Sequence, residues 1–337
     1  MSTRFAFIGF RHPHIFALYD AVQAHPDCQV VAACEEDAAT RGTLMAEGKV
    51  AITHTSAAEL LDQTDADTIA IGDVFAHRGA LAIAALESGR HLFSDKPICT
   101  SLMELDRIEE LASQKGLSVG CQLDLSESGV ILRLREVIRS GELGDLCTVL
   151  VLGQHPLRLG SRAPWYFTPG CHGGTINDIG IHALDLMPWL TGKSWNRLLH
   201  AREWNSSKAH EFPHFTDSAQ VYGLLENGTT FFGDFSYLAP DRAGYQLPQY
   251  WRLTVHGTRG MAEASYGAGT VHIATDDDPL LRELAPLPAQ PSRCLTDFLS
   301  ERAGQPSHDG LTTKRILAVS RLALNLQASA SDEYHLH

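Results

Sequence analysis

No C-x-x-C pair occurs in this 337-residue chain, and its seven cysteines are scattered and odd in number. That excludes a disulfide framework and the common zinc and thioredoxin-like motifs. We expect a reduced, cytoplasmic protein whose cysteines act as small buried hydrophobes. Basic residues are also short: 27 Lys and Arg stand against 40 Asp and Glu, a formal net charge of −13. A nucleic-acid binder would show a basic face, and a protein of anionic membrane surfaces would need basic clusters. No apolar run approaches a membrane span, and Met1-Ser2-Thr3-Arg4-Phe5 leads straight into a strand without a signal-peptide pattern. Internal repeats and low-complexity tracts are absent as well. What is there is ordinary for a globular chain, with 44% hydrophobic and 20% charged residues and length for two domains.

The first half alternates short apolar runs with helical stretches. Phe5–Phe10 stops at glycine and reads as a buried parallel strand; Gln29–Glu35, Thr68–Asp73, His91–Asp95 and Leu117–Cys121 repeat the pattern. Helical stretches lie between them at about His14–Ala24, Asp37–Glu47, His77–Glu87 and Ser101–Gln114. Strand–helix–strand units at this spacing predict a doubly wound α/β sheet, whose ligands sit at the carboxyl ends of the strands.

That rule selects two places. The first is the turn Gly9-Phe10-Arg11-His12-Pro13-His14. A dinucleotide fingerprint would place glycine at 9, 11 and 14, and only Gly9 is present. The following helix N-terminus can still bind an anion, and Arg11 can add a charge-assisted contact. The second is Glu35-Glu36-Asp37. An acid there can accept from the ribose hydroxyls of adenosine, while Asp37 can cap the next helix. No basic residue stands beside Glu35 in sequence, which favours NAD over NADP.

In the second half, Gly173 to Asp185 carries two glycines and then a helical pattern. At about 100° per residue, Asp178, His182 and Asp185 share one stripe, opposite Ile179, Ala183, Met187 and Leu190. A carboxylate and an imidazole one turn apart suit proton transfer. Taken singly, Lys96 reads as a surface lysine after a strand and His182 as a hydrogen-bonded core histidine.

Three segments in order carry a resemblance. They are His91-Leu-Phe-Ser-Asp-Lys-Pro97, the Gly-Gly-x-x-x-Asp-x-Gly-x-His-x-x-Asp run from Gly173 to Asp185, and His256-Gly-Thr-Arg-Gly260. Together they resemble the Gfo/Idh/MocA oxidoreductases. The resemblance implies a Rossmann domain followed by an α/β domain with a large open, mainly antiparallel sheet. It implies NAD(P)-linked redox chemistry at a carbinol carbon of a sugar, cyclitol or related polyol. It assigns Lys96, Asp178 and His182 as catalytic residues: substrate lies between the nicotinamide and the Asp178 helix, Lys96 bonds the reacting hydroxyl, and Lys96 or His182 takes its proton. Three departures stand out: the two missing glycines, Asp95 where the family has Glu, and Gly72-Asp73-Val74-Phe75 where it has a Thr-Pro-Asn-like turn. His77 matches a family histidine and is read as structural.

The expected division is 1–121 for nucleotide binding and 122–337 for substrate binding and oligomerisation, with a helix at about Gly310–Ala328 packing back. Expected cofactor contacts are Gly9, Phe10, Arg11, His12, Glu35, Asp73 and Lys96. Expected substrate contacts are Lys96, His155, Arg158, Trp165, His172, Asp178 and His182; rings such as Trp165 stack on sugar faces, while Arg and His bond hydroxyls or a carboxylate. Arg162 and Tyr166 lie in the same 155–172 loop.

A long helix from Asp124 to about Gly141 should lead into the second domain. Cys147–Gly153 is a β-rich run, Ser218–Tyr237 folds into a hairpin at Asn227-Gly228, and Trp251–His256 and Met261–Tyr266 add strands. Residues 276–292, rich in Asp and Pro, read as an exposed connection. A wide sheet with one uncovered face predicts a homodimer or homotetramer.

Two other readings keep the fold. In one, tightly bound NAD drives elimination, epimerisation or glycoside cleavage through a transient ketone; the other is a non-catalytic sensor. No metal is assigned: His155, His172, Asp178, His182 and Asp185 offer ligand atoms but no compact motif such as His-Glu-x-x-His.

Overall fold

The computed structural model describes residues 2–206 and 211–330. By contacts the chain forms two compact units: 1–123 with 170–173 and 292–321, and 124–169 with 174–291 and 322–337.

The first unit is built on parallel strands β1 (Thr3–Phe10), β2 (Cys28–Cys34), β3 (Thr68–Gly72), β4 (His91–Ser94) and β5 (Val119–Cys121). Helices α1 (His14–Ala24), α2 (Ala38–Glu47), α3 (Ala57–Gln63), α4 (Phe75–Glu87) and α5 (Leu102–Lys115) connect them. Among the described residues the sheet order is β2-β1-β3-β4-β5. Phe5, Ala6, Phe7 and Ile8 are buried on both faces, which is why β1 reads as an unbroken apolar run rather than an alternating one. Each such large side chain contributes about 1.5–3 kcal/mol.

Asp37 caps α2 by accepting from the Thr40 N–H at 2.8 Å, and Gly48 closes that helix in the left-handed region. The sequence reading passed over α3. Its start is marked by Ser56, which accepts from the Glu59 N–H at 3.3 Å, but seven residues show too little periodicity to stand out.

The second unit holds a wide sheet of β6 (Leu146–Pro156), β7 (Trp195–Trp204), β8 (Ser218–Leu225), β9 (Thr230–Ala239), β10 (Arg252–Gly257), β11 (Gly260–Ser265), β12 (Thr270–Thr275) and β13 (Asp278–Leu284). Their order is β13-β12-β11-β10-β6-β9-β8-β7, antiparallel throughout except for β6 beside β9. Helix α6 (Gly129–Ser140) lies against β11 and β12, and α7 (Ile181–Thr191) lies beside α6. Val149, Val151, Phe231, Phe235, Leu253 and Val255 form the buried face. On the other face Leu150 pairs with Phe232, and both are exposed, at 38% and 47%. Helices α8 (Arg293–Arg302) and α9 (Thr313–Ser329) follow the sheet in sequence.

Three expectations are corrected. The stretch 276–292 is not simply a connection, because Asp278–Leu284 pairs with β12 as an edge strand; it has no buried residue and no alternation to read, and it carries acids and a proline, which an edge tolerates. The single long helix from Asp124 is a 3₁₀ turn at Asp124–Glu127 followed by α6. The Asp178 helix begins with a π-helical turn, Ile176–Gly180, before α7. The 100° stripe is therefore locally wrong: Asp178 sits on a wider turn than His182, and such turns are frequent at functional sites.

Candidate functional site

In the first unit the order of strands reverses between β1 and β3, which is the topological switch point where open α/β sheets bind ligands. The turns after those two strands meet tightly. Gly9 has φ +79°, and a Cβ there would lie 2.6 Å from the Asp73 Cβ, so only glycine fits. The Arg11 and His12 N–H groups both donate to the Gly72 carbonyl, at 3.0 and 3.1 Å. Helix α1 then starts without a side-chain cap and without an acidic residue in its first turn. An uncapped helix start behind a glycine turn fits the pyrophosphate of a dinucleotide.

Glu35 has a different role from the one expected. It is 1% exposed, and its two carboxylate oxygens accept from the Phe10 N–H at 2.7 Å and the Asp37 N–H at 2.9 Å. Burial raises its pKa while those two N–H groups pull it back. It shapes the nucleotide loop rather than standing open to a ribose. Two more accessible acids stand at this edge, the exposed Glu36 and the half-buried Asp37, the latter 3.7 Å from Arg11, while Arg41 donates to the Glu35 and Glu36 carbonyls at 2.7 and 3.0 Å. Arg41 was not singled out in the sequence, and the approach of Arg11 to Asp37 is a tertiary contact.

The Asp95-Lys96-Pro97 turn is the second feature of this unit. Asp95 has no exposed surface and Lys96 is 5% exposed. Arg78, fully buried on α4, braces the turn. Its Nε donates to the Asp73 carbonyl at 2.7 Å, its Nη1 to the Lys96 and Pro97 carbonyls at 2.6 and 3.2 Å, and its Nη2 to Asp95 at 3.1 Å. His12 Nδ1 donates to the Asp95 carboxylate, and His14 Nδ1 lies 3.5 Å from its other oxygen. Burial outweighs the attraction of Asp95 and lowers the His12 pKa to about 3, so the imidazole is neutral. His12 and Arg78 hold Asp95 ionised, well below the usual carboxylate range, against the opposing effect of burial.

Among the described residues, His12, His14 and Asp95 are the one group of three whose ligand atoms lie within 4.8 Å of one another. With Arg78 already neutralising Asp95 and the His12 Nδ1 proton directed at that carboxylate, we read the group as an ion-pair brace rather than a cation site. His172 also belongs to this unit: Ala76 N–H donates to the Cys171 carbonyl at 3.2 Å, and the His172 ring lies 5.7 Å from Phe75. His77, 3.7 Å from Asp73, is half exposed.

In the second unit Asp178, His182 and Asp185 are all buried, at 3, 6 and 5% exposure. The Tyr237 hydroxyl donates to Asp178 Oδ2. Sequence reasoning missed Tyr237. Its signal was parity: every second residue from Phe231 to Tyr237 is buried, and a buried tyrosine needs a polar partner. His182 packs edge-on to Trp251, with ring centroids 5.5 Å apart. His155 sits among Tyr245, Tyr250 and Trp251, at 5.9, 5.0 and 5.5 Å.

The loop arginines divide. Arg158, in a left-handed conformation, lies over Tyr245 at 5.0 Å. Arg162 lies over Tyr166 at 4.7 Å and Tyr237 at 5.4 Å, with its Nε and Nη2 on the carbonyls of Leu157 and Pro156. Trp165 stacks on Tyr166 at 4.1 Å and is nearly buried. The start of the Asp178 helix is fixed by Glu203, which accepts from the Thr175 and Ile176 N–H groups and from Gln327.

Comparison with known proteins agrees with these features. Residues 3–122 match the oxidoreductase family with an NAD-binding Rossmann fold, and residues 131–263 match the GFO/IDH/MocA C-terminal domain. The chain belongs to the Gfo/Idh/MocA oxidoreductase family, and its first domain is an NAD-binding Rossmann domain. A curated relative, the inositol 2-dehydrogenase of Salmonella paratyphi B, is 26% identical over 140 residues. That match spans 41% of this chain and 39% of the relative's length. A solved protein from Erwinia carotovora atroseptica is 22% identical and superposes with TM-score 0.84 over 98% of this chain and 99% of its own. An Agrobacterium radiobacter oxidoreductase, solved with NAD+, L-tartaric acid and magnesium, is 17% identical with TM-score 0.77, covering 98% of this chain and 95% of its own.

Proposed function

We propose that this protein is an NAD-linked dehydrogenase acting on a carbinol carbon of a sugar, cyclitol or related polyol. The observation that carries the reading is the buried Asp178–Tyr237 pair, with His182 one turn on and an aromatic wall of Tyr245, Tyr250 and Trp251 in the same unit. Aromatic faces take the apolar side of a sugar ring, and the polar cluster takes its hydroxyls. The relative described as an inositol 2-dehydrogenase supports the same class.

The Gly9–Pro13 loop, the α1 N-terminus and the Asp73 turn would hold the dinucleotide, with Asp37 and Arg11 at the rim. When bound, NAD supplies the hydride acceptor or donor. Lys96 holds the reacting hydroxyl, and Lys96 or His182 takes its proton. Asp178, oriented by Tyr237, fixes a substrate hydroxyl. Asp185 is a supporting group. The seven cysteines, with no disulfide among the described residues, fit a reducing compartment, and no described helix is long and apolar enough to cross a membrane. The exposed Leu150–Phe232 face supports self-association.

The test is NADH formation at 340 nm from a panel of inositols, aldoses and sugar acids, in wild type, Lys96→Ala and Asp178→Asn. The expected result is turnover in wild type and its loss in both variants. Full turnover in Lys96→Ala would sink the assignment of Lys96. A wild type that binds NAD+ but oxidises no polyol would sink the substrate class.

A further inference from the structure

The nucleotide loop carries a feature that dinucleotide binding alone does not require. His12 occupies a turn in which glycines would bring backbone close to pyrophosphate. Its ring does not face solvent: it is 4% exposed and packs edge-on to Phe75 at 5.2 Å. Phe75 in turn lies under the Arg78 guanidinium at 4.5 Å, so the imidazole is held on one side by a fixed ring. On its other side Nδ1 donates to Asp95.

Asp95 is not a free acceptor that happens to be near. Its own N–H donates to the Ile71 carbonyl at 2.9 Å, and its carboxylate shares the Arg78 guanidinium that also binds the carbonyls of Lys96 and Pro97. The two peptide units that follow the Lys96 side chain are therefore fixed to one buried cation. That cation is fixed to one buried carboxylate, and the carboxylate to a residue of the nucleotide loop. The loop is tied to the same frame a second time, through the Arg11 and His12 N–H groups on Gly72. A displacement of the loop at His12 reaches Lys96 through two side chains, Asp95 and Arg78, that have no exposed surface and are hydrogen-bonded to each other.

We propose that His12 is a positioning residue that couples the nucleotide loop to Lys96, so that seating a dinucleotide on the loop sets the placement of the lysine ammonium. The proposal rests on the assignment of Lys96 made above, and its test does not use turnover. A neutral imidazole donates one proton from Nδ1, and the Asn amide nitrogen occupies nearly the same place. His12→Asn therefore keeps the link to Asp95, and His12→Leu removes it while filling much of the same volume.

The chain has six lysines, Lys49, Lys96, Lys115, Lys193, Lys208 and Lys314, so ¹³Cε-lysine labelling gives few signals. Lys96→Arg assigns the one of interest. In wild type and His12→Asn, titration with NAD+ should shift the Lys96 ¹³Cε resonance and its titration midpoint. In His12→Leu, folded by circular dichroism and binding NAD+ by tryptophan fluorescence, the shift should be lost. An equal shift in His12→Leu overturns the proposal, as does the absence of any NAD+-dependent shift in wild type. If His12→Leu does not fold, Asp95→Asn carries the same comparison, because it keeps the shape and weakens the charge-assisted bond. Failure of the Lys96 assignment would show instead as full turnover in Lys96→Ala, and failure of the dehydrogenase reading as a wild type that shows the NAD+-dependent shift but oxidises no polyol.

Discussion

The Tyr237 hydroxyl bonds Asp178 from 59 residues away, across the sheet face from β9 to the turn that begins the α7 region. A hydrogen bond to a buried carboxylate contributes about 1.5–3 kcal/mol. Tyr237→Phe should lower stability by about that amount. If the bond orients Asp178 during reaction, turnover should also fall by about ten- to a hundredfold. Steady-state kinetics beside thermal melts check this; a lower melting temperature with unchanged kcat would leave Tyr237 purely structural.

Glu35→Gln should weaken dinucleotide binding more than its conservative size suggests. Both carboxylate oxygens accept backbone protons, from Phe10 and Asp37. A glutamine side chain has only one acceptor oxygen, so its amide N–H₂ must face one of those donors. The expected cost is about 1–3 kcal/mol for the unsatisfied group. Calorimetric titration with NAD+ measures it, and an unchanged Kd would show that the loop holds its shape without Glu35.

The His12 imidazole should remain neutral at pH 5. Burial takes its pKa from 6.5 to about 3, against the opposing pull of Asp95 and with small contributions from His14 and Arg78. The unfolded chain then takes up this proton first as pH falls. Stability from this group is full above about 6.5 and is lost as pH drops toward 3, at about 1.4 kcal/mol per pH unit across that window. Asp95, held below the usual range, adds a further loss at lower pH. Urea midpoints between pH 7 and 4 should fall, and His12→Asn should flatten the slope. A slope unchanged by that substitution would place the acid sensitivity elsewhere.

Phe232→Lys should abolish self-association. Phe232 stacks on Tyr222 at 4.6 Å and pairs with Leu150 on the exposed face of the sheet. Exposed apolar patches on a flat sheet mark interfaces, and burying a lysine charge there carries a desolvation cost. Sedimentation velocity should show a wild-type homo-oligomer and a monomeric variant. A monomeric wild type would end the idea.

Local signals were enough for much of this protein. Unbroken apolar runs marked the parallel strands because both sheet faces are covered by helices. The Asn227-Gly228 turn marked the β8–β9 hairpin, and Asp37 marked the start of α2. Each depends on residues a few positions apart, so the chain carries the information in one dimension. The family motifs were legible for the same reason and named Lys96, Asp178 and His182. Edge strand β13 and the short helix α3 were not, because polar composition in one and brevity in the other left no period to read.

Only the tertiary structure decided how the named residues are held. It joined His12 to Asp95 across 83 positions and Tyr237 to Asp178 across 59. It turned Glu35 from a ribose acceptor into the brace of its own loop, and it set Arg78, a residue without any sequence signal, beneath Lys96. Hydropathy and capping patterns report whether a side chain is buried. Which partner it meets there depends on where strands distant in sequence bring it, and a buried charge can be stable only once that partner is in place.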